Sequence, residues 1–171
     1  AMETAVTSGA KATLLAEAAK AYPAEACGLL LGQRPGLIEA VQPVSNVHPE
    51  PHRHFELDPA ALIAAHRAAR GGGPLVLGYY HSHPTGSTSP SRTDQAAASG
   101  DGRIWAIVAG AAIGWWRDAP GGFEPPHRSF ADCSLSHLGT PPSGKASFDH
   151  AVVPTGKADS HQERRIAWPS G

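Results

Sequence analysis

Two histidines, His81 and His83, stand two residues apart where an apolar run, Pro74 to Tyr80, ends at Pro84. Side chains along a strand alternate, so both imidazoles project from one face, which is what chelation of an ion requires. After ten intervening residues His83 is followed by Asp94, in the first turn of a helix announced by Ser89-Pro-Ser-Arg-Thr. Two histidines and one carboxylate leave a fourth position for water, the pattern of a catalytic rather than a structural zinc site. Hydrolysis of an amide also needs a proton acceptor beside that water and a donor for the developing oxyanion. Glu25, an acid at the head of an apolar strand, and Ser91, three residues before Asp94, are the candidates. Ser91 and Asp94 read equally well as a helix cap, since Ser-x-x-Asp is close to a capping box, and the two readings are compatible.

The elements that must hold these groups follow from periodicity. Leu14, Leu15, Ala18 and Tyr22 recur at helical steps from Lys11 to Tyr22, and Pro23 closes the run. Glu25 to Gly32 is a short apolar run typical of a buried strand, and Leu37 to Val44 is a second strand after a Pro-Gly turn. Asp58-Pro59 opens a second helix, with one face of Leu62, Ile63, His66 and Ala69, stopped by Gly71-Gly-Gly73. Pro74 to Tyr80 is a central strand, an Ala-rich third helix ends near Ser99-Gly100, and Ile104 to Ala109 and Ala112 to Arg117 are consecutive strands. A further short strand is expected near Pro126 to Phe130. Helix, two strands, helix, strand, helix and strands describe an α/β chain with a mixed central sheet covered on both faces.

The segment Pro-x-Glu-x-Cys-Gly-Leu-Leu-Leu-Gly at 23–32, followed by His-Ser-His-Pro-(five residues)-Pro-Ser-x-x-Asp at 81–94, resembles the JAMM, or MPN+, zinc metallopeptidases. The resemblance runs from about Ala12 to about Phe130. It implies a three-layer α/β/α fold like that of cytidine deaminases, whose own Pro-Cys-x-x-Cys motif is absent here. It makes His81, His83 and Asp94 the ligands of one Zn2+ per chain, Glu25 the general acid/base and Ser91 an oxyanion donor. Members of that family cleave the bond after the C-terminal Gly-Gly of ubiquitin or ubiquitin-like proteins. Only about ten residues separate Asp94 from the next strand, so the chain is more similar to compact prokaryotic members than to those with ubiquitin-gripping insertions. The implied substrate is a ubiquitin-like modifier or sulfur-carrier protein ending in Gly-Gly, its tail extended where a Cβ would not fit. Whether the bond leads to lysine, cysteine or another chain stays open. A metal-free MPN-type scaffold would have broken ligands, and all three are intact. RadC-like hydrolases share the His-x-His-Pro and Pro-Ser-x-x-Asp pattern, but the Glu25 to Gly32 segment favours the peptidase.

Composition narrows the rest. The 171 residues suit one domain, here 1–130, followed by 131–171, rich in Gly, Pro and Ser and too poor in apolar residues for a core of its own. Lys+Arg 14 against Asp+Glu 15 gives no basic face for nucleic acid. The longest apolar stretch, Ile104 to Trp116, is broken by glycines and too short to span a membrane. With 2 Cys and no signal-like start, a reducing, cytoplasmic setting is expected, with the chain starting near Met2 and Ala1 a cloning remnant. Oligomeric state is open. Cys27, inside an apolar strand, reads as a small buried hydrophobe rather than a nucleophile. His48, His52 and His54 read as a solvated loop that would wall a substrate channel at most. Cys133, His137, His150 and His161 have no compact metal spacing. Trp105, Trp115 and Trp116 read as packing residues, with Trp115 or Trp116 facing outward if both share a strand.

Overall fold

The computed structural model describes residues 3–126 and the backbone of 132–133, within a unit formed by Ala1–His137. The strand expected near 126–130 and the histidines of 131–171 lie outside the described residues.

Thr7 accepts a hydrogen bond from Ala10 N and starts helix α1 at Ser8–Ala21, one turn earlier than the spacing of Leu14, Leu15 and Ala18 suggests. Ahead of it, β1 (Ala5–Thr7) lies parallel to β3 (Leu37–Ile38) and to β9 (Asp132–Cys133), so strand pairing reaches past residue 130. The expected strand Leu37 to Val44 is divided into β3 and β4 (Ala40–Val44) around Glu39, whose N–H bonds Leu31 O while its carboxylate accepts from Gln33 N. Asp58 caps α2 (Pro59–Arg70) through Ala60 N. Ser91 caps α3, a helix of only six residues, Arg92–Ala97.

The main sheet has the order β4-β2-β5-β6-β7-β8, with β2 Cys27–Gly32, β5 Leu75–Ser82, β6 Ile104–Ala109, β7 Ala112–Ala119 and β8 Gly122–Glu124. Only β5 and β6 are parallel, and the other neighbours run antiparallel, so the sheet is mixed as expected. Their connection contains α3, which places Asp94 above the end of β5. Strand alternation then assigns the layers. Tyr80 and Ala106 pack with Leu14 and Ala10 of α1 on one face, whereas Tyr79 and Trp105 line a cleft with Leu62 of α2 on the other. Gly78 lets β5 approach β6 closely, because a Cβ there would run into Ile104 O. Among the described residues no helix is long and apolar enough to cross a membrane.

Candidate metal centre

β5 carries His81, and His83 follows its last residue Ser82, both on the face shared with Tyr79, beneath α2 and α3. The antiparallel register Cys27↔His81 extends outward through Ala26 and Ser82, where Ala26 N donates to Ser82 Oγ at 2.8 Å and Ser82 N to Ala26 O at 2.9 Å. The next step sets Glu25 opposite His83. The strand edge therefore brings Glu25 to the two histidines although 56 residues separate it from His81 in the chain.

His81 Nε2 and His83 Nε2 are 3.0 Å apart, and Asp94 places Oδ1 3.1 Å from the first and Oδ2 3.2 Å from the second. A tetrahedral ion with bonds of about 2.0–2.1 Å holds its ligand atoms about 3.3 Å apart, so the three donors already stand at the spacing a metal needs. All three residues are buried or nearly so, with His81 at 0% and Asp94 at 3% exposure. His83 Nδ1 donates to Ser87 O at 2.7 Å, which fixes the tautomer and leaves the Nε2 lone pair for a metal. Among the described residues His81 Nδ1 has no such partner, and it is buried. Its ring is oriented by packing instead: Phe55 stacks on it at 4.2 Å and 17°, and Trp105 meets it edge-on at 5.8 Å.

Asp94 has two tasks. Its Oδ2 accepts from Ser91 N at 2.7 Å, while Ser91 Oγ accepts from Asp94 N at 3.1 Å, completing the capping box. The cap and the ligand set are one structure. Burial works to raise the Asp94 pKa, but hydrogen bonds from His81, His83 and the Ser91 backbone hold it well below the usual carboxylate range. Burial lowers the pKa of His81. In His83 burial also works downward, yet the bonds to Asp94 and Ser87 outweigh it and raise the pKa.

Glu25, 7% exposed, shares a cavity of about 290 Å³ with His83, Ser91, His52, Arg53, Thr85 and Thr93. Burial pushes its carboxyl up to about 7, with His83 opposing and Asp94 adding. It thereby sits in the range where a group both takes and returns a proton near neutral pH. Cys27 is on the same face, but burial and then Glu25 push its thiol up to about 12, so it stays protonated and packs as a small apolar group.

Two residues that sequence patterns did not single out shape this centre. Asn46 buckles the loop 46–57: its Nδ2 donates to Glu25 O and His54 O, and its Oδ1 accepts from His48 N and Glu56 N. Together with Glu25 N donating to Pro51 O at 2.7 Å, this brings His52 and Arg53 to the cavity wall, while His48 and His54 pack on one another. Phe55 comes from the same loop, and its one sequence signal is an aromatic between two polar neighbours. Phe55→Ala is expected to weaken metal affinity about tenfold and to lower stability by about 2 kcal/mol. Chelator competition and urea unfolding measure the two, and unchanged affinity would show that the stack does not orient His81.

The family model for prokaryotic homologues of the JAB domain matches residues 7–119. A desampylase of Haloferax volcanii is 41% identical over 86 residues, covering 50% of this chain and 62% of that protein. A probable TtuB-protein conjugate cleaving protease of Thermus thermophilus is 43% identical over 84 residues, covering 49% of this chain and 53% of that protein. The chain thus spans less than two thirds of each relative's length. Solution structures of proteins from Desulfitobacterium hafniense and Salinibacter ruber superpose with TM-scores of 0.63 and 0.58 at 29% and 30% identity. Each alignment covers 79% of this chain, with 99% and 95% of those chains. With the family model spanning β2 to β7, α1 to α3 and the His-His-Asp cluster, the chain belongs to the prokaryotic homologues of the JAB domain, as its JAMM motifs imply.

Proposed function

We propose that this chain is a zinc-dependent peptidase hydrolysing the peptide or isopeptide bond after the C-terminal Gly-Gly of a ubiquitin-like modifier or sulfur-carrier protein, with its active site within 1–130. The observation that carries this reading is the meeting, at one end of β5, of two imidazole nitrogens and a carboxylate at metal-ligand spacing beside a cavity into which Glu25 and Ser91 are built. The substrate class follows the family motifs and the relatives named as a desampylase and a conjugate-cleaving protease.

Held by His81, His83 and Asp94, zinc would supply Lewis acidity towards the scissile carbonyl and lower the pKa of water it binds. The chain's own groups handle the protons. Glu25, with its carboxyl at about 7, takes a proton from the attacking water and returns it to the leaving amine, neither transfer being steeply uphill. Ser91 Oγ accepts from Asp94 N, so its own O–H is available to donate to the carbonyl oxygen as charge develops. The Ser87 carbonyl keeps the His83 proton on Nδ1.

The test is a cleavage assay on a small ubiquitin-like protein whose Gly-Gly is extended either by a peptide or through a lysine ε-amine, with metal content measured on the same sample. About one zinc per chain and a cut after the second glycine are expected. Folded protein that takes up no zinc, or zinc-loaded protein that leaves both substrates intact, overturns the reading.

A further inference from the structure

The loop 84–90 leaves β5 directly after His83 and folds back over that residue. Ser87 O holds His83 Nδ1 at 2.7 Å. Gly86 lies so close to the ring that a Cβ there would sit 3.0 Å from His83 Cβ and 3.3 Å from its Cγ. Pro84, Thr85 and Gly86 also wall the cavity that holds Glu25. The position of this short loop therefore sets both the direction of one metal ligand and one side of the cleft.

The loop is also met from β7, two strands away on the same face of the sheet. Trp116 of β7 donates its indole N–H to Thr88 O at 2.8 Å. Two residues earlier on the same face, Gly114 clears the space: a Cβ there would run into Thr88 O and sit 2.7 Å from Thr88 Cβ. The register explains why these residues reach a loop from β5. Cys27, His81, Ile107 and Gly114 are cross-strand neighbours in one row, and Tyr79, Trp105 and Trp116 form the next. Both rows face α2 and α3. Trp115, on the opposite face, packs against the core that includes Leu14 and Tyr80. The adjacent tryptophans thus point opposite ways, and the one turned from the core has a specific partner.

We propose that Trp116 and Gly114 are positioning residues for the metal centre: by seating Thr88 they place Ser87 O on His83 Nδ1 and so aim His83 Nε2 at the ligand cluster. The link is one peptide unit long, from the Thr88 carbonyl to that of Ser87, and leaves little slack for absorbing a displacement. The inference rests on the metal-binding part of the proposed function but not on its substrate: wild type that takes up no zinc fails that reading, whereas wild type that binds zinc while the variants bind it equally well fails only this one.

The test compares Trp116→Phe, which keeps a large ring and removes the donor, Gly114→Ala, which pushes on Thr88, and Trp115→Phe on the opposite face. Zinc affinity is read by chelator competition on the whole chain, with unfolding midpoints measured in parallel. Trp116→Phe and Gly114→Ala are each expected to weaken zinc binding about tenfold, the lower end of what loss of an outer partner of a metal ligand costs. Trp115→Phe is expected to lower the unfolding midpoint and leave zinc affinity within twofold. Zinc affinity within twofold of wild type in both Trp116→Phe and Gly114→Ala overturns the proposal, as does an equal loss in Trp115→Phe. A second readout needs no variant. In metal-free wild type at pH 9, nitrogen shifts of His83 are expected to show the proton on Nδ1, and a dominant Nε2–H form overturns the proposal.

Discussion

Glu25→Gln is expected to abolish most cleavage while zinc remains bound. Glutamine keeps the shape of the side chain at the cavity wall but neither accepts a proton from water nor delivers one to an amine. Positioned acid–base groups contribute roughly 10²–10⁴-fold to a rate, and Glu25 is placed to act in both directions of transfer, so a fall of about 10³ in kcat is expected. Glu25 is outside the ligand cluster, so metal content stays near one per chain. Cleavage at the wild-type rate would remove Glu25 from the mechanism. The same variant has an opposite effect on the metal-free fold. The Glu25 pKa is raised from 4.5 to about 7 on folding, so the neutral acid's contribution is complete below pH 4.5 and is lost as pH climbs through 7. At pH 8 the wild-type chain carries a buried carboxylate beside Asp94, whereas the variant carries a neutral amide. Metal-free Glu25→Gln is expected to be more stable than wild type by about 2 kcal/mol at pH 8. That advantage should vanish near pH 4. Urea unfolding at the two pH values checks the sign.

Asp94→Asn is expected to lose zinc by more than the roughly 100-fold that removal of an outer partner costs, because it takes away the one formal negative charge in the ligand set. An amide oxygen still accepts from Ser91 N, so the first turn of α3 is largely kept and metal loss is separated from cap loss. The thermal consequence is measurable. Zinc held at a thousand times its Kd stabilises the wild-type fold by about 4 kcal/mol, a rise in midpoint on the order of 10 °C for a unit of this size. Asp94→Asn should show almost none of that rise. Equal zinc-dependent rises in both proteins would mean that the ion binds elsewhere.

How far the sequence foretold the site depends on the range of the interaction concerned. His81 and His83 are legible because strand alternation is local, and Asp94 because a capping signature needs only four residues. Both observations survive translation into structure, down to the reciprocal Ser91 and Asp94 bonds. Glu25 is different. An acid at the head of an apolar strand is a weak signal that the resemblance strengthens, but nothing near it in the chain says which strand it will face, since its place opposite His83 follows from a register between β2 and β5. Phe55 and Asn46 escape notice for a related reason. Their loop has no period, and the groups they serve, His81 and the Glu25 carbonyl, are tens of residues away. β1 is three residues long and owes its strand pairing to β3 and β9, both distant in the chain, so no local pattern could announce it. Trp116 shows the same limit, for an alternating strand explains that one of two tryptophans leaves the core but not that it meets Thr88.

α3 has six residues, far fewer than the roughly 12 to 15 that an isolated helix needs to persist in water. It has no long apolar face, and its one buried residue is Asp94. That residue contributes its carboxylate to the imidazoles, the same carboxylate to the cap, and its carbonyl to Ala98 N at the helix end. The segment is thus less a member of the helical layer than an accessory of the ion site, a coil that winds when its acid is engaged. The acid that would hold the ion is also the one that fastens the first turn of the helix. Ser91 and Thr93, which face the cleft, come from this same segment. The groups that would hold an ion and those that wall the cleft therefore hang from one short segment, and Asp94 anchors both.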